Sequence, residues 1–258
     1  MLKKRIIPKF LIRGGRLVKG VGFHHNFREA GNPVSTARVY DAYGVDELMF
    51  LDIDATLEGR ETTGSIIERV SEEVFMPFTV GGGIRTLEEI ARLLRSGADK
   101  VSITSAAVED PGFIRAAASR FGDQCIVVGL DYARGADGRL RLHTHGGTRP
   151  TDLDPVEFAL RMQDSHAGEI LLCSIDRDGT MSGYDLDMIH ALAGRLDIPL
   201  IASSGCGTLA HCMEALQAGA SAITVSSMFL FSDHSPIKVR TYLATNGVSV
   251  RSQQGSHS

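Results

Sequence analysis

Eight short apolar, β-branched runs, each followed by a stretch of helical periodicity, limit this chain more than any other feature. The predicted strands are Ile6–Ile12, Leu48–Ile53, Phe78–Gly82, Lys100–Thr104, Cys125–Asp131, Ile170–Ile175, Leu200–Ser203 and Ala222–Ser226. Amphipathic stretches lie between them: Ile66–Phe75, Leu87–Ser96, Pro111–Phe121, Pro155–Gln163, Asp187–Gly194 and Leu209–Ala218. Strands apolar on both faces suit a parallel sheet covered by helices. Eight such units in about 250 residues match a (β/α)8 TIM barrel in number and length. A doubly wound sheet is the other architecture that alternation allows, but no GxGxxG follows the first strand.

The chain also repeats itself. Gly83–Ser105 shifted by 122 positions falls on Gly205–Ser227 without a gap, with identities at Gly83/Gly205, Thr86/Thr208, Leu87/Leu209, Leu94/Leu216, Gly97/Gly219, Ala98/Ala220 and Ser105/Ser227. Ile53-Asp54 falls on Ile175-Asp176 at the same offset. Two duplicated half-barrels of four units each would give this pattern, and the period is too long for a solenoid. The expected organisation is one barrel domain over residues 1–246 and a frayed polar tail over 247–258.

Charge and cysteine content exclude several function classes. Lys plus Arg total 27 against 31 for Asp plus Glu, a net charge of -4 with mixed signs. Such a chain has no bulk attraction for nucleic acid or an anionic membrane. Cys125, Cys173, Cys206 and Cys212 contain no CxxC pair and read as reduced core thiols of a cytoplasmic protein. The apolar part of the N-terminus is too short for a signal peptide. The uncharged run Ala215–Ser232 is too polar to span a membrane, and reads as a helix end, a glycine turn and a buried strand.

In a barrel of this kind chemistry is expected at the C-terminal ends of the strands. Gly81-Gly82-Gly83, Thr104-Ser105, Ser203-Ser204-Gly205 and Ser226-Ser227 stand there, pairwise in opposite halves. Glycines let an anion approach backbone N–H groups and hydroxyls add donors. Tight turns would use the same glycines, but both pairs recurring at one period favours two phosphate sites across the mouth. Asp52, Asp54, Asp131, Asp176 and Asp178 cluster at the same end, either as acid–base groups or as caps and loop ion pairs. Asp131 closes a strand, where a cap is less natural, and is the first choice for catalysis. The glycine-rich segment after the first strand reads as a mobile lid, with Lys19 as a cation reaching phosphate. Asp137-Gly138 suggests a small hairpin after the fifth strand. His143 and His145 lack an evident third ligand and read as an exposed strand edge, so no metal or other cofactor is expected. At the opposite end Arg5, Glu47, Lys100 and Glu169 each stand just before a strand, where a salt-bridge cluster is the default reading.

The segments Arg5-Ile6-Ile7, Phe50-Leu51-Asp52-Ile53, Phe78-Thr79-Val80-Gly81-Gly82-Gly83-Ile84 and Gly97-Ala98-Asp99-Lys100-Val101-Ser102-Ile103 resemble the cyclase subunit of imidazole glycerol phosphate synthase. Gly168-Glu169-Ile170-Leu171-Leu172 and Ser174-Ile175-Asp176-Arg177-Asp178-Gly179-Thr180 do so as well, and the likeness covers essentially the whole chain. The resemblance implies a duplicated half-barrel that takes ammonia from a glutaminase subunit docked on its bottom. It also implies a bisphosphorylated phosphoribulosyl-formimino substrate, converted to imidazole glycerol phosphate and an aminoimidazole carboxamide ribotide. By the same resemblance Arg5, Glu47, Lys100 and Glu169 become an ammonia gate, and Asp99 a residue of the partner interface. Substrate and phosphate contacts fall to Lys19, Asp52, Gly83, Thr104 and Ser105, and to Asp178, Gly179, Gly205, Ser226 and Ser227.

The sequence departs from the family at one position of consequence. The cyclase pattern has an aspartate at the end of the first strand as well as at Asp131, and here that position is Leu11, with no acid within two residues. Gly14 and Thr104 replace a further acid and an asparagine. Losing one of two acid–base groups commonly costs about 10²–10⁴-fold. Two functions therefore stand side by side. One is the cyclase of histidine biosynthesis, with Asp131 as principal acid–base. The other is a paralogue that passes ammonia to a separate amidotransferase in acetamidino-sugar synthesis, whose apolar first strand Ile7-Pro8-Lys9-Phe10-Leu11-Ile12 resembles. A sugar-phosphate isomerase of the same barrel type would need paired aspartates and no gate.

Overall fold

The computed structural model describes residues 3–251 apart from 24 and 63. Eight parallel strands close into a barrel: β1 (Arg5–Arg13), β2 (Leu48–Asp52), β3 (Phe78–Gly81), β4 (Lys100–Ile103), β5 (Ile126–Arg134), β6 (Glu169–Ser174), β7 (Leu200–Ser203) and β8 (Ala222–Val225). Closure is made by β8 against β1, with Ile223 opposite Ile6. Helices connect the strands on the outside, so the chain has the (β/α)8 architecture expected from its alternation.

Side-chain alternation separates two cores. On β1, Ile6, Phe10 and Ile12 point to the helical layer, where Phe10 meets Tyr40 edge-on at 5.0 Å. Ile7 points inward with Met49, Val127, Leu171, Ile201 and Ala222, which together fill the barrel. Burying each of these larger side chains contributes about 1.5–3 kcal/mol.

Local sequence explains where several helices begin. Asn32, Asp110, Asp154 and Ser235 each cap a helix whose first residue is proline: Pro33–Ala42, Pro111–Phe121, Pro155–Asp164 and Pro236–Thr245. Proline has no N–H to leave unpaired there, and its φ already suits the helix. The first and last of these helices were not among the predicted stretches, because their apolar residues are too few to make a clear stripe.

The segment after β1 is not the open loop its glycines suggest. Arg16–Val21 and His25–Gly31 form an antiparallel ribbon that folds back on β1, with Arg13 opposite Arg16. Gly14 and Gly15 both have positive φ, 53° and 78°, and make the two-residue turn that such a hairpin requires. The glycines mark the turn rather than a flexible stretch. The hairpin expected at Asp137-Gly138 is present, and it lengthens β5 to Arg134, opposite Leu140.

Elements coincide across the 122-residue offset. β3 maps onto β7 and β4 onto β8, each with the same bounds, and helix Leu87–Arg95 maps onto Leu209–Gln217. Gly83 and Gly205 hold φ of 73° and 92°, and Thr104 and Ser226 share φ near -117° and -132°. The segment from 247 on is not frayed at its start. Val248 and Val250 pack on the core, and Lys4 N donates to Ser249 O at 2.8 Å. Residues 252–258 lie outside the described residues.

Candidate active site

The strand C-termini surround a cavity of about 300 Å³ lined by Leu11, Asp52, Gly83, Thr104, Ser105 and Asp131. A second, narrow pocket of about 10 Å³ adjoins it, lined by Lys19, Gly179, Gly205, Ser226 and Ser227. Lys9 and Asp178 line both. Of the residues singled out at the mouth, Gly83, Thr104 and Ser105 line the first pocket and their counterparts Gly205, Ser226 and Ser227 the second, while Gly81, Ser203 and Asp176 line neither.

Asp131 is the residue best placed for proton transfer. Burial pushes its carboxyl up to about 7, with the Lys9 ammonium and the Cys173 thiol opposing that rise and the Asp178 charge adding to it. A carboxyl near neutrality can both take and return a proton at working pH. Cys173, beside it in β6, is pushed up to about 12 by the same burial and stays a thiol. Leu11 faces the same cavity and is 8% exposed, so the position where the cyclase pattern has an acid offers an apolar contact.

Each of the other carboxylates singled out at the mouth has a partner within the protein. Asp52 is gripped by Arg60 at 2.7 and 2.9 Å and caps the turn at Ala55 N. Asp54 accepts from Arg13, and Asp176 accepts from the Arg134 backbone. Asp178 takes the buried Lys19 ammonium on both oxygens. Lys19 is thus turned into the narrow pocket, and burial lowers its pKa while Asp178 opposes that fall.

Hydroxyls and glycines at the mouth are also partly engaged by the protein. Gly83 N donates to Thr56 Oγ1 at 3.0 Å, and Ser105 Oγ accepts from His145 N at 2.9 Å. A Cβ on Gly205 would meet the carbonyl of Gly183, so chain packing alone requires glycine there. Ser204 Oγ and Ser226 Oγ are different: both are buried and lack a hydrogen-bond partner among the described residues. Polar atoms left so are costly, about 1–3 kcal/mol each, and a water or a single ligand oxygen reaching into the narrow pocket would satisfy them.

Sequence reasoning missed Lys9. It is 3% exposed, and its Nζ donates to Ser203 Oγ at 2.6 Å. The available signal was a lysine at an inward position of a strand that is otherwise apolar. His143 and His145 are half-buried rather than an exposed edge, because the hairpin folds over the mouth and brings His145 to the cavity. Among the described residues no group of three His, Cys, Asp or Glu could hold a metal.

At the barrel bottom the four charges form a closed ring. Arg5 bridges Glu47 at 2.8 Å and Glu169 at 3.1 Å, and Lys100 bridges the same two at 2.9 and 3.1 Å. Thr79 Oγ1 adds a bond to Glu47 at 2.6 Å. Asp99 is exposed at this end and caps Phe78 N at 2.9 Å, and Phe75, before β3, is 98% exposed.

A closed parallel barrel with a carboxyl and two polar pockets at the C-terminal ends of its strands is a (β/α)8 scaffold with a concave candidate active site. A family model described as "Histidine biosynthesis protein" matches residues 5–235, and the chain belongs to that family. No helix among the described residues is long and apolar enough to cross a membrane.

Proposed function

We propose that this chain is the ammonia-accepting barrel of a glutaminase–cyclase pair, acting in the cytoplasm on a substrate with a phosphate at each end. The carrying observation is the closed Arg5–Glu47–Lys100–Glu169 ring at one end of the same barrel that holds Asp131 at the other. Exposed Asp99 and Phe75 at the ring end support a docking surface for the glutaminase there. Asp131 is the acid–base residue. Thr104, Ser105 and Gly83 border one phosphate site, and Lys19, Asp178, Gly179, Gly205, Ser226 and Ser227 border the other.

Leu11 favours a second reading, in which a cyclase-derived paralogue delivers ammonia to a separate amidotransferase of acetamidino-sugar synthesis. The mouth then needs no second acid, and an apolar contact at Leu11 is acceptable.

The deciding experiment is turnover of the phosphoribulosyl-formimino substrate with excess ammonium salt, for the wild type beside Leu11→Asp. Wild-type turnover establishes the cyclase. Turnover in Leu11→Asp alone identifies a cyclase scaffold diverted to another ammonia-dependent task. Inactivity of both variants removes the cyclase reading and leaves the delivery role.

A further inference from the structure

Lys9 sits where the two mouth pockets meet, and nothing in the roles above uses it. Among the described residues only Lys9 and Lys19 are buried lysines, and their surroundings differ. Lys19 lies between both oxygens of Asp178. Lys9 has a hydroxyl as its partner, Ser203 Oγ, which also accepts from Thr224 Oγ1 at 2.8 Å. An amine held by a serine is free to leave that contact in a way that a carboxylate-bound one is not. The cavity it lines also holds Leu11, Leu51 and Leu171, together with Asp131, Asp52 and Asp178. A buried lysine beside aliphatic side chains and a carboxyl that can take up and return a proton is an arrangement suited to imine chemistry.

We propose that Lys9 is an imine-forming amine that captures the carbonyl carbon of a ketose phosphate bound across the mouth. This rests on the reading of the mouth as a sugar-phosphate site. The ammonium first gives a proton to Asp131. Its Nζ then bonds to the carbonyl carbon and passes one of its two protons to the oxygen. The C–O bond breaks as that hydroxyl takes the proton Asp131 returns and leaves as water, and the nitrogen keeps its last proton as a protonated imine. One amine and one carbonyl give one imine and one water, with no oxidant or reductant. Ammonia arriving through the barrel displaces Lys9 from that imine, restoring the amine and leaving its own nitrogen on the same carbon. The pair Lys9 and Asp131 thus needs no acid at Leu11 to activate the carbonyl.

Trapping tests this directly. The protein is incubated with ribulose 5-phosphate, with and without sodium borohydride, digested and mapped by mass spectrometry, while calorimetry measures binding without reductant. The expected result is a single borohydride-dependent adduct on the Lys9 peptide, with the mass of the sugar phosphate less one oxygen. It should be lost in Lys9→Met and in Lys9→Arg, the latter keeping the buried charge. Binding without an adduct, or an adduct on Lys19 or scattered over surface lysines, overturns the imine and leaves the sugar-phosphate reading intact. Neither binding nor adduct overturns both.

Discussion

The Lys19 ammonium lies 2.9 and 3.0 Å from the two oxygens of Asp178, and both side chains are almost fully buried. Lys19 belongs to the hairpin that folds back on β1, and Asp178 to the turn after β6. Gly22 N donates to Asp178 O at 2.9 Å, so the same turn holds the hairpin twice. Removing one member of a buried pair leaves an uncompensated charge and typically costs about 3–5 kcal/mol. Lys19→Met should therefore destabilise by about that much in urea unfolding, and Lys19→Met with Asp178→Asn by clearly less than the sum of the singles. Additive losses would show that the pair is not coupled.

Asp131 makes stability depend on pH in a direction opposite to most carboxylates. Its folded pKa of about 7 lies above the ordinary 3.8, so the native state holds the proton more tightly than the unfolded chain. Between about pH 4 and pH 7 folding binds a proton, and stability falls as pH rises through that window. The full effect of such a shift is about 4 kcal/mol, and an open cavity reduces it to about 1–3 kcal/mol. Urea unfolding across pH 4–8 should show this decline in the wild type, and Asp131→Asn should lack it. An equal decline in the variant would place the titrating group elsewhere.

Much of the architecture was legible because barrel strands are apolar on both faces and bounded by turn residues. Leu200–Ser203 and Pro111–Phe121 match their predicted bounds. The hairpin after β1 was misread because Gly14, Gly15 and Gly22, needed for its turns, look in sequence like the glycines of a loop. The ring was legible as four charges each at or just before the start of a strand, since a strand start fixes which end of the barrel a residue occupies. Lys9 was not, because period-2 alternation shows that a residue points inward but not how deep its polar tip reaches. Asp52 illustrates the converse: its place at a strand end was readable, while its capture by Arg60, eight residues on in a turn, was not.

The two helices related by the 122-residue offset should differ in how much their caps contribute. Thr86 Oγ1 accepts from Glu89 N at 3.2 Å, and Glu89 returns the contact to Thr86 N at 2.8 Å and Arg85 N at 2.6 Å. Thr208 caps His211 N at 3.2 Å, but a histidine at that position offers no carboxylate to the cap's own N–H. Replacement of a threonine cap by alanine costs about 0.5–2 kcal/mol. Thr86→Ala and Thr208→Ala should both fall in that range, and Glu89→Ala, which removes the carboxylate from Thr86 N and Arg85 N, should cost more than His211→Ala at the matching position. The reverse order in thermal or urea unfolding would mean that the reciprocal contact contributes nothing.

The ring at the barrel bottom gives the sharpest functional test, because a gate and a structural cluster predict different kinetics from one substitution. Lys100 Nζ joins Glu47 to Glu169, at 2.9 and 3.1 Å. Lys100→Met leaves Arg5 as the only cation between the two carboxylates, with Thr79 still donating to Glu47, and the ring opens. Some loss of stability follows in either case, so stability cannot separate the readings. Turnover can, measured with the glutaminase present and with either glutamine or ammonium salt as nitrogen source. Ammonium added in bulk reaches the mouth from solvent and does not need the ring, whereas ammonia released at the docked face does. A gate therefore predicts that the ratio of ammonium-driven to glutamine-driven turnover rises by about tenfold or more in Lys100→Met, equivalent to about 1.4 kcal/mol. A purely structural ring predicts that both rates fall together and the ratio stays at its wild-type value. Lys100→Arg, which keeps the charge and can still bridge both carboxylates, should restore most of the glutamine-driven rate if the ring's closure rather than the lysine itself is what couples the two ends.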